Sequence, residues 1–159
     1  MNTTKPIKLY IKSLITELTA EPQPPFETPR EDREYDECIE FSTDGILTEK
    51  GDTVEITYKE IEELGMNDIE STIRFKKARP NMVNLIRRGA APASLVFDSN
   101  SYRQNCSYNL GDIPFSFCIC TNEVENTFDE NGGKIFLDYE IEMHGTKTEH
   151  NIFTLKYKK

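Results

Sequence analysis

No residue of this chain is tryptophan, and glycine occurs only eight times in 159 residues. No Gly-rich loop precedes a helical pattern, which removes support for phosphate-cradling NTPase or dinucleotide chemistry. Long apolar runs are missing too. The longest, Pro114 to Cys120, falls far short of the roughly 20 residues that a bilayer helix requires, so no membrane partner is expected. Positive charge is scarce: 19 Lys and Arg against 28 Asp and Glu leave a net charge of -9, which disfavours nucleic acid as a general partner. The polar start Met1-Asn2-Thr3-Thr4-Lys5-Pro6 lacks the apolar segment of an export signal, so a cytoplasmic location is expected. In that compartment the four cysteines read as reduced thiols without disulfides. The length suits one domain, residues 1–159, with one substantial core.

A sustained period of 3.6 is absent, whereas period 2 recurs along the whole chain. Ile7, Leu9 and Ile11 share one face against Lys8, Tyr10 and Lys12, and this first strand continues toward Leu18 through a bend expected near Ser13, where the alternation changes phase. Ile39 and Phe41 alternate in Cys38 to Thr43. Gly51-Asp52 then signals a hairpin into Val54, Ile56 and Tyr58. Ser71 to Lys76 places Ile73 and Phe75 inward, and a proline-containing turn over Lys77 to Asn81 leads to strands at Met82 to Arg88 and Leu95 to Asp98. A weak strand near Tyr102 to Leu110 and a stronger one over Ile113 to Glu123 follow. Asp129-Glu130-Asn131-Gly132-Gly133 is the strongest turn signal, and Lys134 to Met143 and His150 to Tyr157 make a last pair around Gly145.

The segment Glu21 to Glu37 differs in kind. Pro22, Pro24, Pro25, Pro29 and clustered acids can neither pair in a sheet nor bury apolar area, so an exposed acidic loop is expected, a tolerated insertion before a lid or partner contact. The rest is eight to ten strands in meander order. A sheet of that many strands must close or split, because open edges invite pairing with other chains. The fold class expected is therefore all-β, a single antiparallel up-and-down barrel, with a two-sheet sandwich as the alternative.

The order Ile7-Lys8-Leu9-Tyr10-Ile11-Lys12-Ser13, Ile39-Glu40-Phe41-Ser42-Thr43-Asp44-Gly45, Tyr58 with Glu60 and Gly65, and Arg87-Arg88-Gly89 resembles the bacterial YwiB-like family. The ending Gly132-Gly133-Lys134-Ile135-Phe136-Leu137-Asp138-Tyr139-Glu140-Ile141 with His150-Asn151 fits the same pattern. The resemblance spans nearly the whole chain except Glu21 to Glu37. It implies a calycin-type barrel, related in shape to lipocalins, in a family without an assigned function. The Gly-x-Trp signature of secreted lipocalins is missing.

Catalytic and metal constellations are weak in this sequence. His144 and His150 flank the last turn and, with Glu142 or Glu149, form a conceivable zinc or iron site, but histidines beside a turn are more often solvated. Cys118 and Cys120 share a strand face at a spacing unsuited to a structural zinc turn, and read as small buried apolar residues, so neither metal nor cofactor is expected. Glu140 and Glu142 extend a row from Asp138 without an aromatic sugar platform, and read as a solvated face rather than a glycosidase pair. Between Ile73 and Phe97 there is no acid, while Arg74, Lys76, Arg87 and Arg88 offer a candidate anion-binding face whose simpler role is to guard sheet edges.

The expected function is thus not catalysis. A barrel of this size encloses a volume just wide enough for one small ligand or for its own side chains. Phe41, Tyr58, Phe75, Phe97, Phe117 and Tyr139 are the interior candidates for contact with a small, partly apolar ligand. The alternative is a ligand-free, side-chain-filled barrel that acts as a protein or RNA interaction module.

Overall fold

The computed structural model of the chain describes residues 2–18, 36–59, 69–89, 92–110 and 113–159. Ten strands run through them: β1 (Asn2–Glu17), β2 (Glu37–Lys50), β3 (Thr53–Lys59), β4 (Glu70–Lys76), β5 (Arg79–Arg88), β6 (Ala93–Asp98), β7 (Arg103–Leu110), β8 (Ile113–Asp129), β9 (Gly132–Met143) and β10 (Thr146–Lys158). Consecutive strands pair antiparallel, and β1 also pairs with β10, so the sheet closes on itself. The all-β up-and-down barrel expected from the alternation is formed. The sandwich alternative is not, since one sheet runs around the whole ring.

Alternation decides which residues the ring encloses, because successive side chains on a strand point to opposite faces. Ile7, Leu9 and Ile11 on β1, Val54, Ile56 and Tyr58 on β3, and Ile135 and Leu137 on β9 are all buried within one core. The expected phase change near Ser13 does not occur. β1 keeps an unbroken register with both neighbours, Ser13 facing Ile39 and Phe153, so Ser13 and Ile15 stay on the inward row and Leu14 on the outward one. A polar residue at an inward position had mimicked a change of phase.

Three further expectations are adjusted. The turn placed over Lys77 to Asn81 shrinks to Lys77-Ala78, tied to the neighbouring hairpin by Asp52, whose carbonyl accepts from the Lys77 amide at 2.8 Å. The strand beginning at Ile113 runs on to Asp129, bending at a register shift between Thr121 and Glu123. A bulge there re-aims the strand, and its far half leaves β7 to reach toward β5 and β4: Asn126 donates to the Pro80 carbonyl of β5 and Phe128 packs on Phe75 of β4. Of the acidic proline-rich segment, residues 21–35 lie outside the described residues, while Glu37 already belongs to β2.

The two ends of the barrel differ. One end carries tight turns, at Gly51-Asp52, Lys77-Ala78 and Glu130-Asn131. There Leu47, Val54, Phe75, Val83, Ile135 and Tyr157 fill the interior, each 4% exposed or less. The other end holds the strand termini that lead into residues 19–35 and 60–68.

At the filled end, the Asp129 carboxylate accepts from the amides of Asn131 and Gly132 and closes the β8–β9 turn. Gly132 has φ of +149°, and a Cβ built on it would lie 2.0 Å from the Tyr157 carbonyl oxygen on β10. Gly51 also has positive φ, at +58°, but its Cβ would meet open space. Gly132→Ala should therefore lose about 2–4 kcal/mol of stability, whereas Gly51→Ala should lose about 1 kcal/mol, the cost of the left-handed backbone alone. Urea unfolding of the two variants compares them directly, and equal losses would contradict the assigned close approach.

Candidate functional site

Toward the end opposite the tight turns, a cavity of about 220 Å³ lies between the inward rows. Ile11, Ser13 and Ile15 of β1, Ile39 and Phe41 of β2 and Tyr58 of β3 form one side of its wall. Leu85 and Arg87 of β5, Leu95 and Phe97 of β6, Leu137, Tyr139 and Ile141 of β9, and Glu149, Asn151 and Phe153 of β10 complete it. Phe97 and Tyr139 come from strands that are not neighbours, yet their ring centroids are 4.6 Å apart and tilted by 56°. This contact crosses the interior and gives the cavity an aromatic floor.

Polar groups interrupt the apolar wall. The Nε of Arg87 is buried without a hydrogen-bond partner, and among the described residues no carboxylate pairs with this guanidinium. Glu149 accepts a hydrogen bond from Asn151 at 2.8 Å. Burial pushes the Tyr139 phenol up to about 12, while Arg87 pulls it down and Glu149 pushes it up, so both charges lie within electrostatic reach of that hydroxyl.

Of the six interior candidates, Phe41, Tyr58, Phe97 and Tyr139 line this cavity. Phe75 belongs to the filled end, and Phe117 is buried where β7 and β8 border an outer groove. The four basic candidates are divided by strand parity. Arg74 pairs with Glu55 at 3.3 Å, Arg88 pairs with Glu70 at 3.8 Å, and Lys76 is exposed, whereas Arg87 lines the interior. Four residues therefore do not form one anion-binding face. Sequence reasoning missed Ser13, Glu149 and Asn151, although the signal was present: extending the row Tyr157, Leu155, Phe153 by two steps of two leads to Asn151 and Glu149.

The outer face of β7 to β10 differs from the solvated row expected there. Arg103 holds Glu142 through two hydrogen bonds of 2.7 and 3.3 Å, and this keeps the Glu142 carboxyl below its usual range. Lys147 bridges Glu140 at 3.4 Å and the Tyr102 hydroxyl at 2.8 Å. These carboxylates are largely covered, because Tyr102 and Arg103 lie next to the strands that carry them. Cys118 and Cys120 do share a face, but it is this outer one rather than the barrel interior. Cys120 is nonetheless fully buried, with its Sγ 3.6 Å from Glu142. His150 bonds Asp138 at 2.6 Å, while His144 sits in the exposed β9–β10 turn, so the two histidines are not brought together. Among the described residues no group of three or more His, Cys, Asp or Glu is arranged to hold a metal ion.

Two measurements check these environments. Burial raises the thiol pKa of Cys106 and Cys120, whereas Cys38 is exposed, so alkylation of the native protein followed by mass spectrometry should modify Cys38 first and Cys106 and Cys120 last. Early labelling of Cys120 would contradict the cover over the outer face. Burial also pushes the Tyr157 phenol up to about 12. For Tyr139 and Tyr157 the folded pKa thus lies above the ordinary 10, so the stability they contribute is intact below pH 10 and lost as pH climbs toward about 12. An ultraviolet phenolate titration should show a late component that disappears in the Tyr139→Phe, Tyr157→Phe double variant.

No curated protein matches this chain. The crystal structure of the ywiB protein from Bacillus subtilis aligns over 98% of this chain and 92% of its own, with a TM-score of 0.71 and 21% identity, a likeness of fold. Residues 26–155 match the profile described as Domain of unknown function (DUF1934). With most of its length inside that match and its barrel shared with the ywiB protein, the chain belongs to the DUF1934 family, the YwiB-like family that its motif order resembles.

Proposed function

We propose that this protein is a non-enzymatic, calycin-like binding module of the bacterial cytoplasm that takes one small, partly apolar ligand into the cavity inside its barrel. The observation that supports this reading is the 220 Å³ cavity, walled mainly by Phe41, Leu85, Leu95, Phe97, Ile141 and Phe153. A cavity of about 150 Å³ is enough for benzene, and drug-sized ligands use roughly 300 Å³ or more, so the occupant is about the size of a single substituted ring or a short aliphatic chain.

The polar groups outside the cavity favour binding over catalysis. Glu140 and Glu142 are each committed to a cation, which leaves neither as a free acid or base. The outer row His150, Glu140, Cys120 steps across three strands, so His150 and Cys120 are two strand spacings, roughly 10 Å, apart. A nucleophile and its base need hydrogen-bond reach. The filled tight-turn end favours the second reading, a barrel packed with its own side chains that serves as a protein or RNA interaction module.

Toluene is a suitable probe, followed by nuclear magnetic resonance of the full chain. It should bind at one site with a Kd near about 1 mM, some 4 kcal/mol, and with little dependence on salt. Ser13→Leu, which adds apolar bulk to the inward row, should abolish that binding while leaving the barrel folded. If toluene does not bind and single-stranded RNA binds with steep salt dependence that is lost in Arg74→Ala and Arg88→Ala, the interaction-module reading replaces this one.

A further inference from the structure

We infer that the cavity is built for a small zwitterion with an apolar body, the chemical class of a free aliphatic or single-ring amino acid, its carboxylate at Arg87 and its ammonium at Glu149. This inference rests on the ligand-binding reading above and names the ligand class of the same cavity.

Two charges of opposite sign face one cavity without pairing. Arg87 stands on β5 and Glu149 on β10, strands that are not neighbours in the ring, and both line the cavity. Both are half-buried, and charges partly withdrawn from water are ordinarily paired, since their mutual attraction must offset lost hydration. Here the strands hold them on separate walls. Each keeps unused capacity: the Arg87 Nε is buried with no partner, and Glu149 has a hydrogen bond from Asn151 where a carboxylate can accept about four. The hydroxyl of Tyr139 feels both charges and makes no hydrogen bond to any described residue. A buried guanidinium nitrogen without a partner, as at Arg87, is uncommon enough in native proteins to require an explanation.

A bound group with complementary charges supplies one. A simple carboxylate would meet Arg87 but bring its negative charge beside Glu149, and a simple amine would meet Glu149 but bring its positive charge beside Arg87. A molecule with both groups on one carbon satisfies the two walls together and leaves the Tyr139 hydroxyl free to donate to the carboxylate. Its side chain then points to the apolar floor at Phe97. The 220 Å³ volume limits that side chain to about one ring or a branched aliphatic group.

The test is calorimetric titration of the full chain with four probes: L-phenylalanine, 3-phenylpropionate, 2-phenylethylamine and toluene, with L-leucine as an aliphatic check. L-phenylalanine or L-leucine should bind at one site at least about tenfold more tightly than either single-charge probe, the difference expected of one charge-assisted hydrogen bond. Arg87→Met and Glu149→Gln should each weaken amino-acid binding about tenfold, and should bring L-phenylalanine close to the affinity of the single-charge probes. The inference is overturned, with the cavity reading intact, if toluene binds but the amino acids bind no more tightly than 3-phenylpropionate. If toluene also fails to bind, both readings fall. Should either variant unfold, the comparison of the four probes on the unaltered protein still decides the matter.

Discussion

The architecture depends on the ladder between β1 and β10. Its partners run from Lys8 with Lys158 to Glu17 with Glu149, and they join the first strand of the chain to the last. Without that ladder the meander would be an open sheet with two long unpaired edges, a template for pairing with other chains. The same strand pairs on its other side with β2 from Asn2 to Ile15, so β1 is anchored from both flanks. Closure then fixes what alternation only offers. Once the ring is shut, every inward residue must share one interior, and the mismatch between a filled end and a polar-lined end becomes a property of the whole ring.

The strands were legible because their apolar residues keep period 2 over long stretches, as in Val54-Ile56-Tyr58 and Leu137-Tyr139-Ile141. The tight turn at Glu130-Asn131 was legible for a local reason too, since an Asp at its start and two glycines at its end supply the carboxylate cap and the permissive backbone it uses. Less legible was everything that breaks the pattern on purpose. Ser13, Arg87, Glu149 and Asn151 lie at inward positions, where a polar residue looks like an error of phase or a solvated face. The cysteines of β8 misled in the opposite direction. Cys118 and Cys120 resemble core filler in composition, but Phe117 and Ile119 take the inward positions, and Cys120 owes its burial to a second layer outside the ring.

That outer layer shows how a strongly acidic chain manages its own charge. Asp138, Glu140 and Glu142 stand in a row on one strand, where like charges repel. Each is answered from another strand: His150 and Asn122 at Asp138, Lys147 and Asn122 at Glu140, and Arg103, two strands away, at Glu142. The row therefore ties β7 to β10 from outside while the apolar residues tie them from within.

One seam of the ring is much thinner than the others. Among the described residues β6 and β7 pair through two positions, Ala93 with Tyr108 and Ser94 with Ser107, whereas β1 and β10 share a ladder along most of their lengths. A closed ring has no frayed ends, so its lowest-energy fluctuation is the parting of its weakest join. Solvent exchange should therefore begin at the amides on either side of this seam, and the loss of two ladder positions turns the cylinder into a strip that stays folded along its remaining nine pairings. The barrel can thus breathe sideways through its wall.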